Sequence, residues 1–148
     1  MPCCYEAPHG EDLAEMAGLM GLAPEKAAEI HASATYRAYM YGFAPGFTYL
    51  GGLPEAIAIS RRSKPRPPHD SKVVLVGGGL SAIATFPMPT GWYVVGRTPE
   101  RLYAPDRASA FLIEPGDSLR FEPIDAATFA ALDARAEAGE VVASKKPL

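Results

Sequence analysis

The sequence predicts a mainly β domain, either a barrel or a sandwich, with helices at both ends of the chain. About seven short apolar segments with strand character are separated by turn signals roughly every 8–12 residues. Helical patterns lie before residue 36 and after residue 124, and no strand–helix–strand repeat lies between them, which argues against a doubly wound sheet. A length of 148 residues fits one domain, 1–148, with a sizeable core.

Composition and charge narrow the class of partner. A net charge of −3 and a pI near 5.6 give no indication of nucleic acid or an anionic membrane. No apolar run reaches the roughly 18 residues of a membrane span, and the first residues do not resemble a signal peptide. Cys3 and Cys4 are neighbours and cannot join distant segments, which is typical of a reducing cytosol, and further metal ligands at usable spacing are missing. We therefore expect a cytoplasmic protein without a metal site.

Two short helices are predicted before residue 36. Apolar residues recur at helical spacing over 12–20, and Gly21 is a suitable end for that helix. Pro24 then suits the first turn of a second helix that runs to His31. We expect His31 to be a capped or solvated residue at the helix end, with a catalytic role as the alternative. The acidic residues of this region predict a negatively charged face.

The segment 36–52 is the centre of the predicted fold. Residues 36–41 form a strand of aromatic and apolar residues, which then breaks at Gly42. Pro45 suits the first central position of a type II turn, and Gly46 can adopt the positive φ of the second. The aromatic residues that flank this turn are Phe43, Phe47 and Tyr49. Two interpretations stay open: a rigid pocket wall with exposed amides, or a tight hairpin packed on the core.

A basic, proline-rich segment follows a short predicted strand at 56–60. Residues 61–69 hold four cations and three prolines, so an extended connection is expected. The segment is interpreted either as an electropositive loop for a phosphate or carboxylate, or as a solvated loop that balances the acidic helices.

The strand at 72–76 leads directly into Gly77–Gly79. No Lys-Ser/Thr pair follows these glycines, and the spacing does not continue as GxGxxG into a helix. Because 81–86 also has strand character, the pattern favours a turn or bulge between two strands over a nucleotide loop.

A strand at 91–96 ends at Arg97 and Thr98. An arginine at a strand end can hold a carboxylate with two parallel hydrogen bonds. The alternative for Arg97 is an internal ion pair with Asp106 or Glu114. Two further strands are predicted at 110–113 and 118–121, separated by a Pro-Gly-Asp turn.

The last predicted element is an alanine-rich helix from Asp125 to about Ala138. Asp125 is a suitable N-cap, and Gly139 is a suitable end.

Four separated stretches together resemble one known family. Gly42–Leu53 is similar to its signature G-F-x-P-G-F-x-Y-L-G-G-L, and the other stretches are Cys4–Leu13, Gly91–Pro99 and Pro115–Phe121. The family is the B subunit of bacterial 5-oxoprolinase, also called allophanate hydrolase subunit 1, and it includes the sporulation-kinase inhibitor KipI. A related carboxyltransferase-type module lies within urea carboxylase.

The resemblance implies a cyclophilin-like β-barrel with flanking helices. It also implies ATP-dependent opening of the 5-oxoproline lactam. The enzyme would be a hetero-oligomer with an A subunit and a C subunit, and the C subunit is homologous to the B subunit. The ATP site would be shared with these partners. Alternatives are a KipI-like regulatory domain that binds a histidine kinase, and a urea-carboxylase-type module that handles carboxybiotin.

Such a reaction needs cations and backbone N–H groups near phosphate, and a group that holds the substrate carboxylate. Our hypothesis assigns substrate binding to Phe43, Pro45, Gly46, Phe47, Tyr49, Arg97 and Thr98. It assigns phosphate or ATP binding to Arg61, Arg62, Lys64, Gly78 and Gly79. No residue is assigned as the catalytic base.

The chain also departs from the family pattern. The N-terminal domain of the family is expected to be absent, and Leu80 and Ala84 stand where the family has glutamine and tyrosine. Loss of a glutamine that contacts the substrate would leave a ligand group unpaired, at a cost of about 1–3 kcal/mol. The sequence therefore leaves open a different substrate, or binding without catalysis.

Overall fold

The computed structural model describes residues 1–147, which form eight strands and three α-helices. The strands are β1 (Pro2–Cys4), β2 (Tyr36–Tyr41), β3 (Thr48–Gly51), β4 (Val73–Gly77), β5 (Leu80–Ile83), β6 (Tyr93–Arg97), β7 (Ser118–Leu119) and β8 (Glu122–Ile124). The helices are α1 (Leu13–Leu19), α2 (Pro24–Ser33) and α3 (Ala126–Glu137).

All eight strands form one curled sheet in the order β7-β2-β3-β5-β4-β6-β1-β8. The two edge strands are consecutive in the chain and are joined by Arg120 and Phe121 alone, so the edges of the sheet must lie close together. The N-terminus holds this junction, because the Met1 amine donates to the Arg120 carbonyl at 2.9 Å and the Glu122 N–H donates to the Met1 carbonyl at 2.8 Å. The predicted mainly β fold with helices at both ends of the chain is confirmed.

Both faces of the central strands are buried. On β4, Val74 and Val76 belong to the core that includes Met16 of α1 and Ala27 of α2. The alternate β4 residues pack into a second cluster on the other face, together with Phe47. This double burial explains why β4 is a continuous apolar run rather than an alternating one.

Glycines set the two turns that the sequence predicted most sharply. Gly78 and Gly79 have φ of 57° and 77° and form the two-residue connection between β4 and β5, as a type I′ hairpin requires. Gly46 has φ of 81°, and the Phe47 N–H donates to the Ala44 carbonyl at 3.1 Å, as expected for a type II turn at Pro45–Gly46. Of the turn or bulge predicted between two strands at the glycine run, the turn is confirmed.

Two predicted strands are wrong. Residues 56–60 contain the end of a short 3₁₀ helix, Glu55–Ile57, whose Ile57 side chain is buried against the main core. Residues 110–113 form only one isolated bridge, between Phe111 and Tyr103, while Leu112 and Ile113 are both buried in the main core. In both segments apolar side chains fill the core from irregular backbone, so packing overrides local strand propensity.

The three helices agree with the prediction to within two residues or so. The Asp125 carboxylate accepts the Thr128 N–H at 2.7 Å and caps α3, and Gly139 follows with φ of 100°. Over residues 1–147, no helix has the length and apolar character needed to cross a bilayer.

Candidate functional site

A cleft of about 340 Å³ lies beside the Pro45–Gly46 turn. Its walls are formed by Ser71, Lys72, Thr85, Phe86, Arg101, Tyr103, Pro105 and Glu137. The turn is fixed to this wall, because the Thr85 hydroxyl donates to the Pro45 carbonyl at 2.7 Å. A Cβ on Gly46 would lie only 2.8 Å from the Cβ of Tyr103, so the close approach of turn and cleft requires glycine.

Other cavities lie away from this turn. One of about 700 Å³ is walled by α1, α2 and the N-cap of α3, and its walls contain carboxylates but no cation in the part of the chain that the structure describes. Another of about 250 Å³ lies between Met1 and the C-terminal tail. The cleft beside the turn combines an aromatic wall with charged groups of both signs, so it is the candidate site.

Lys72 is the most buried cation of the cleft. Its backbone has φ of 64°, a conformation that a non-glycine residue rarely adopts. Its ammonium donates to the Pro99 carbonyl at 3.3 Å, to Asp133 at 2.5 Å and to Glu137 at 3.2 Å. The lysine therefore connects the start of β4 to α3.

Arg97 is not itself a wall residue of the cleft but contacts one. Its Nε donates to the carbonyl of Ser71, a wall residue, at 2.9 Å, and its guanidinium lies 5.5 Å from the ring centre of Phe129. Within residues 1–147 Arg97 forms neither of the two ion pairs considered above, since Asp106 pairs with Arg101. Thus the turn and Arg97 flank the same cleft, each through one intervening residue.

Thr98 is buried, and its hydroxyl is used inside the fold. It accepts the Glu100 N–H at 3.1 Å and lies 3.3 Å from the sulfur of Met1.

The aromatic residues of the turn divide between core and solvent. Phe47 is buried in the second cluster, with its ring 5.2 Å from that of the half-buried Tyr49. Phe43 packs edge-on against Phe47 at 5.5 Å, yet it is 83% exposed and has φ of 59°. The burial of Phe47 fits the hairpin interpretation, whereas Phe43 is exposed to solvent, and neither residue is among the cleft walls.

The basic segment divides in a similar way. Arg62 donates to both carboxylate oxygens of Glu15, at 3.0 and 2.7 Å, and lies 3.3 Å from Asp12. The hydrogen bonds that Arg62 donates to Glu15 raise the pKa of Arg62 above its ordinary value. Arg66 pairs with Glu11 and also lies 3.0 Å from Asp12. These ion pairs match the interpretation in which the loop balances the acidic helices.

Only some of the remaining candidates for phosphate binding lie close together. Arg61 is exposed and lies against the glycine hairpin, since a Cβ on Gly78 would be 3.4 Å from its Cγ, whereas a Cβ on Gly79 would meet open space. Lys64 is exposed. The structure thus places Arg61 beside Gly78, whereas Arg62 pairs with Glu15 of α1.

The sequence prediction for His31 is wrong. The ring is 1% exposed, with Nδ1 2.6 Å from the Tyr5 hydroxyl and Nε2 3.0 Å from the Ser81 hydroxyl. Because the Ser81 hydroxyl donates to the Leu75 carbonyl at 2.9 Å, it accepts from His31 Nε2–H, and Nδ1 accepts from Tyr5. Burial lowers the pKa of His31 to about 3, so the ring is neutral at physiological pH.

No local signal in the sequence marks this buried chain of hydrogen bonds. Its members come from the N-terminal segment, α2 and β5, and His31 is 26 residues from Tyr5 and 50 from Ser81. The interior position of His31 also excludes it from the cleft walls.

Comparison with known sequences supports the resemblance noted from the motifs. Residues 1–113 match the model of a family described as carboxyltransferase domain, subdomain C and D. The chain is 38% identical over 121 residues to the B subunit of 5-oxoprolinase from Bacillus subtilis, covering 82% of this chain and 50% of that protein. It is also 38% identical over 123 residues to the protein of the same name from Escherichia coli O157:H7, covering 83% and 56%. The chain thus spans about half the length of these relatives.

Solved structures share the fold. A conserved uncharacterized protein from Pyrococcus horikoshii superposes with a TM-score of 0.82 at 36% identity, over 87% of this chain and 60% of that one. Urea carboxylase of Kluyveromyces lactis superposes with a TM-score of 0.68 at 12% identity, over 93% of this chain and 15% of that one. At this lower identity the likeness concerns the fold alone.

Proposed function

The chain belongs to the family of carboxyltransferase domains, subdomain C and D, and on this premise we propose that it is the B-type component of an ATP-dependent 5-oxoprolinase. The observation that carries the proposal is the family signature folded against a cleft. Its Pro45–Gly46 turn is tied to the wall residue Thr85 and packs on Tyr103 without space for a side chain. The likeness to proteins named as the B subunit of 5-oxoprolinase then suggests what the cleft binds.

The proposed chemistry follows from the low reactivity of a lactam. An unstrained amide is a poor electrophile, and in the proposed reaction transfer of the γ-phosphoryl group of ATP to its carbonyl oxygen activates it. Water adds to the activated carbon and the ring C–N bond breaks. A second water hydrolyses the resulting acyl phosphate to glutamate and phosphate. Positioned cations and donors assist these steps by stabilising the developing negative charge.

This chain offers only part of a nucleotide site. Arg61 beside Gly78 could contact a phosphate, but Arg62 would first have to leave Glu15 and Asp12. The glycine hairpin joins antiparallel strands and does not open a helix, so it lacks the amide arrangement of a phosphate loop. The residues fit ATP only in part, and no step is assigned to a nucleotide on this chain. We propose that the partner subunits supply most of the ATP site.

The proposed partners are the C and A subunits of the same enzyme. Among residues 1–147, the cleft walls contain no histidine or cysteine, and Glu137 is their one carboxylate. A partner that closes over the cleft would exclude water and add catalytic groups.

A second candidate function has its own observation. Tyr39, Met40 and Phe43 are large apolar residues close together in the chain, and 54%, 59% and 83% of their surfaces are exposed. Exposed large apolar side chains of this kind are typical of a protein-binding surface. It would suit a KipI-like regulatory domain that docks on a histidine kinase, as well as a catalytic component that docks on the C subunit.

Co-expression with the A and C subunits from the same genome tests the first proposal. We expect a stable complex that hydrolyses ATP only when 5-oxoproline is present, and that loses this activity when this chain is omitted. A folded complex with no such turnover would refute it. Capture of a histidine kinase that 5-oxoproline does not affect would favour the regulatory function, and dependence on a biotin carrier would favour a urea-carboxylase-type module.

A further inference from the structure

Lys72 is a buried cation that faces a cleft, and nothing in the family signature accounts for it. Its side chain is only 10% exposed, yet the residue forms part of the cleft wall. Charged side chains are rarely this buried unless they are paired, and at Lys72 the pairing comes from α3.

The two carboxylates that pair with Lys72 are not equivalent. Asp133 lies 2.5 Å from the ammonium and its side chain is 33% exposed, so it is the closer and more enclosed partner. Glu137 lies 3.2 Å away, its side chain is 63% exposed, and it is itself a wall residue of the cleft. An exposed carboxylate gains little from an ion pair because water solvates it almost as well. Glu137 can therefore leave Lys72 at small cost, whereas Asp133 cannot.

We propose that Lys72 is the carboxylate-binding group of the cleft, and that Glu137 is a resident counter-ion which a small carboxylate ligand displaces. In the ligand-free protein Glu137 satisfies one donor of the ammonium. An incoming carboxylate takes over that hydrogen bond, and the Glu137 side chain turns to solvent. Asp133 and the Pro99 carbonyl stay in place and keep the ammonium aimed at the cleft.

The rest of the wall defines the class of ligand. Phe86, Tyr103 and Pro105 present apolar and aromatic surface, and Arg101 adds a second cation that Asp106 already pairs. A volume of about 340 Å³ is at the small end of ligand sites. The expected ligand is a small carboxylate with a compact body.

The backbone of Lys72 is consistent with this role. A lysine at φ of 64° is strained, and glycine at the same position would avoid that strain. Strained residues persist where the surrounding structure holds them for a purpose, and here the strained backbone carries the ammonium that meets both α3 and the cleft.

The inference deepens the proposed function and rests on it only for the identity of the carboxylate. The test titrates the purified full chain with 5-oxoproline, with its carboxamide, which lacks the carboxylate, and with acetate and glutamate, by calorimetry and NMR. We expect 5-oxoproline to bind at least tenfold more tightly than the carboxamide, and Lys72→Met to remove that difference.

Glu137→Gln distinguishes a ligand site from a structural clamp. With the resident carboxylate neutralised, affinity for the ligand carboxylate should rise about two- to fivefold, the factor that corresponds to a half-exposed ion pair. Glu140→Gln is the matched control near the same end of the chain, because Glu140 pairs with Arg135 away from the cleft, and it should leave the affinity unchanged. If Lys72→Met does not fold, the comparison of Glu137→Gln with Glu140→Gln still shows whether Lys72 is a ligand site or a structural clamp.

The outcomes separate the two proposals. Tighter binding of acetate or glutamate by Glu137→Gln, with no binding of 5-oxoproline, would support the Lys72 site and count against the proposed function. Equal binding of 5-oxoproline by wild type, Glu137→Gln and Lys72→Met would support 5-oxoproline as the ligand and overturn the Lys72 site. Absence of carboxylate binding at about 10 mM in wild type and Glu137→Gln would also overturn it.

Discussion

His31→Phe is the sharpest test of the buried hydrogen-bond chain. Phenylalanine keeps the ring among its neighbours, where the centres of the Tyr36 and Phe121 rings lie 5.3 and 4.8 Å away. It removes the hydrogen bond from His31 to the Ser81 hydroxyl, which has a net contribution of about 1 kcal/mol. It also leaves the buried Tyr5 hydroxyl without its acceptor, which costs about 1–3 kcal/mol. We expect the free energy of unfolding to fall by about 2–4 kcal/mol.

Removing both partners should cost less than the sum of the single changes. In Tyr5→Phe/His31→Phe no hydroxyl is left without an acceptor, so a double-mutant cycle should give a coupling of about 1 kcal/mol or more. Urea denaturation followed by fluorescence and circular dichroism measures each value. Strict additivity of the two single changes would refute the hydrogen bond between Tyr5 and His31.

The same histidine predicts a pH dependence of stability. In the folded protein the pKa of His31 is about 3, whereas the unfolded chain takes up the proton near the ordinary value of 6.5. Between these values the unfolded state binds more protons, so stability rises with pH and is lost as pH falls from 6.5 towards 3. The slope from this one group is about 1.4 kcal/mol per pH unit.

Wild type and His31→Phe should therefore differ in slope as well as in stability. Urea unfolding between about pH 4.5 and 7.5 should show a steeper loss in wild type on acidification, since phenylalanine has no proton to bind. Identical slopes for the two proteins would show that His31 is not buried as a neutral ring.

Other predictions concern the tail, the turn and the proposed interfaces. Glu100→Ala removes a fully buried carboxylate that accepts two backbone N–H groups of the C-terminal tail, at 2.7 and 2.6 Å. The free energy of unfolding should fall by about 3 kcal/mol, and limited proteolysis should cut the tail. A tail that stays resistant to the protease would contradict this. Gly46→Ala should cost about 1–3 kcal/mol more than Gly116→Ala, which shares a positive φ but meets open space, as measured by thermal unfolding. Arg97→Ala removes the hydrogen bond to the carbonyl of the wall residue Ser71, so it should weaken 5-oxoproline binding while leaving the fold intact by circular dichroism, and an unfolded variant would assign Arg97 a structural role instead. Phe43→Ser should leave stability within about 0.5 kcal/mol and weaken capture of the partner subunits, and unchanged capture would place the interface elsewhere.

Much of the fold could be read from short-range chemistry. The Pro45–Gly46 turn, the Gly78–Gly79 hairpin and the Asp125 cap each depend on the backbone preferences of one to four neighbouring residues. Such preferences depend only on neighbouring residues in the sequence, so the positions of these turns and of the helix cap are predicted correctly. The prediction of a strand at 56–60 failed because Ile57 gains more from burial in the core than its segment gains from an extended backbone.

The candidate site was less accessible from the chain alone. The turn and Arg97 were both identified, yet the wall that joins them consists of residues without a motif, including Thr85 and Ser71. The basic segment allows two equal interpretations from sequence, and ion pairs with distant residues distinguish them, such as that of Arg62 with Glu15, 47 residues away.

The sequence by itself determined the mainly β class, the helices at both ends, the central turn and the family. Only the tertiary structure decided that His31 is a neutral core residue, and that Lys72 stands at a cleft between β4 and α3. The reason is that a backbone preference is a property of adjacent residues, whereas the charge state and accessibility of a side chain depend on neighbours brought from far along the chain. His31 meets a serine 50 residues away, and Lys72 meets an aspartate 61 residues away.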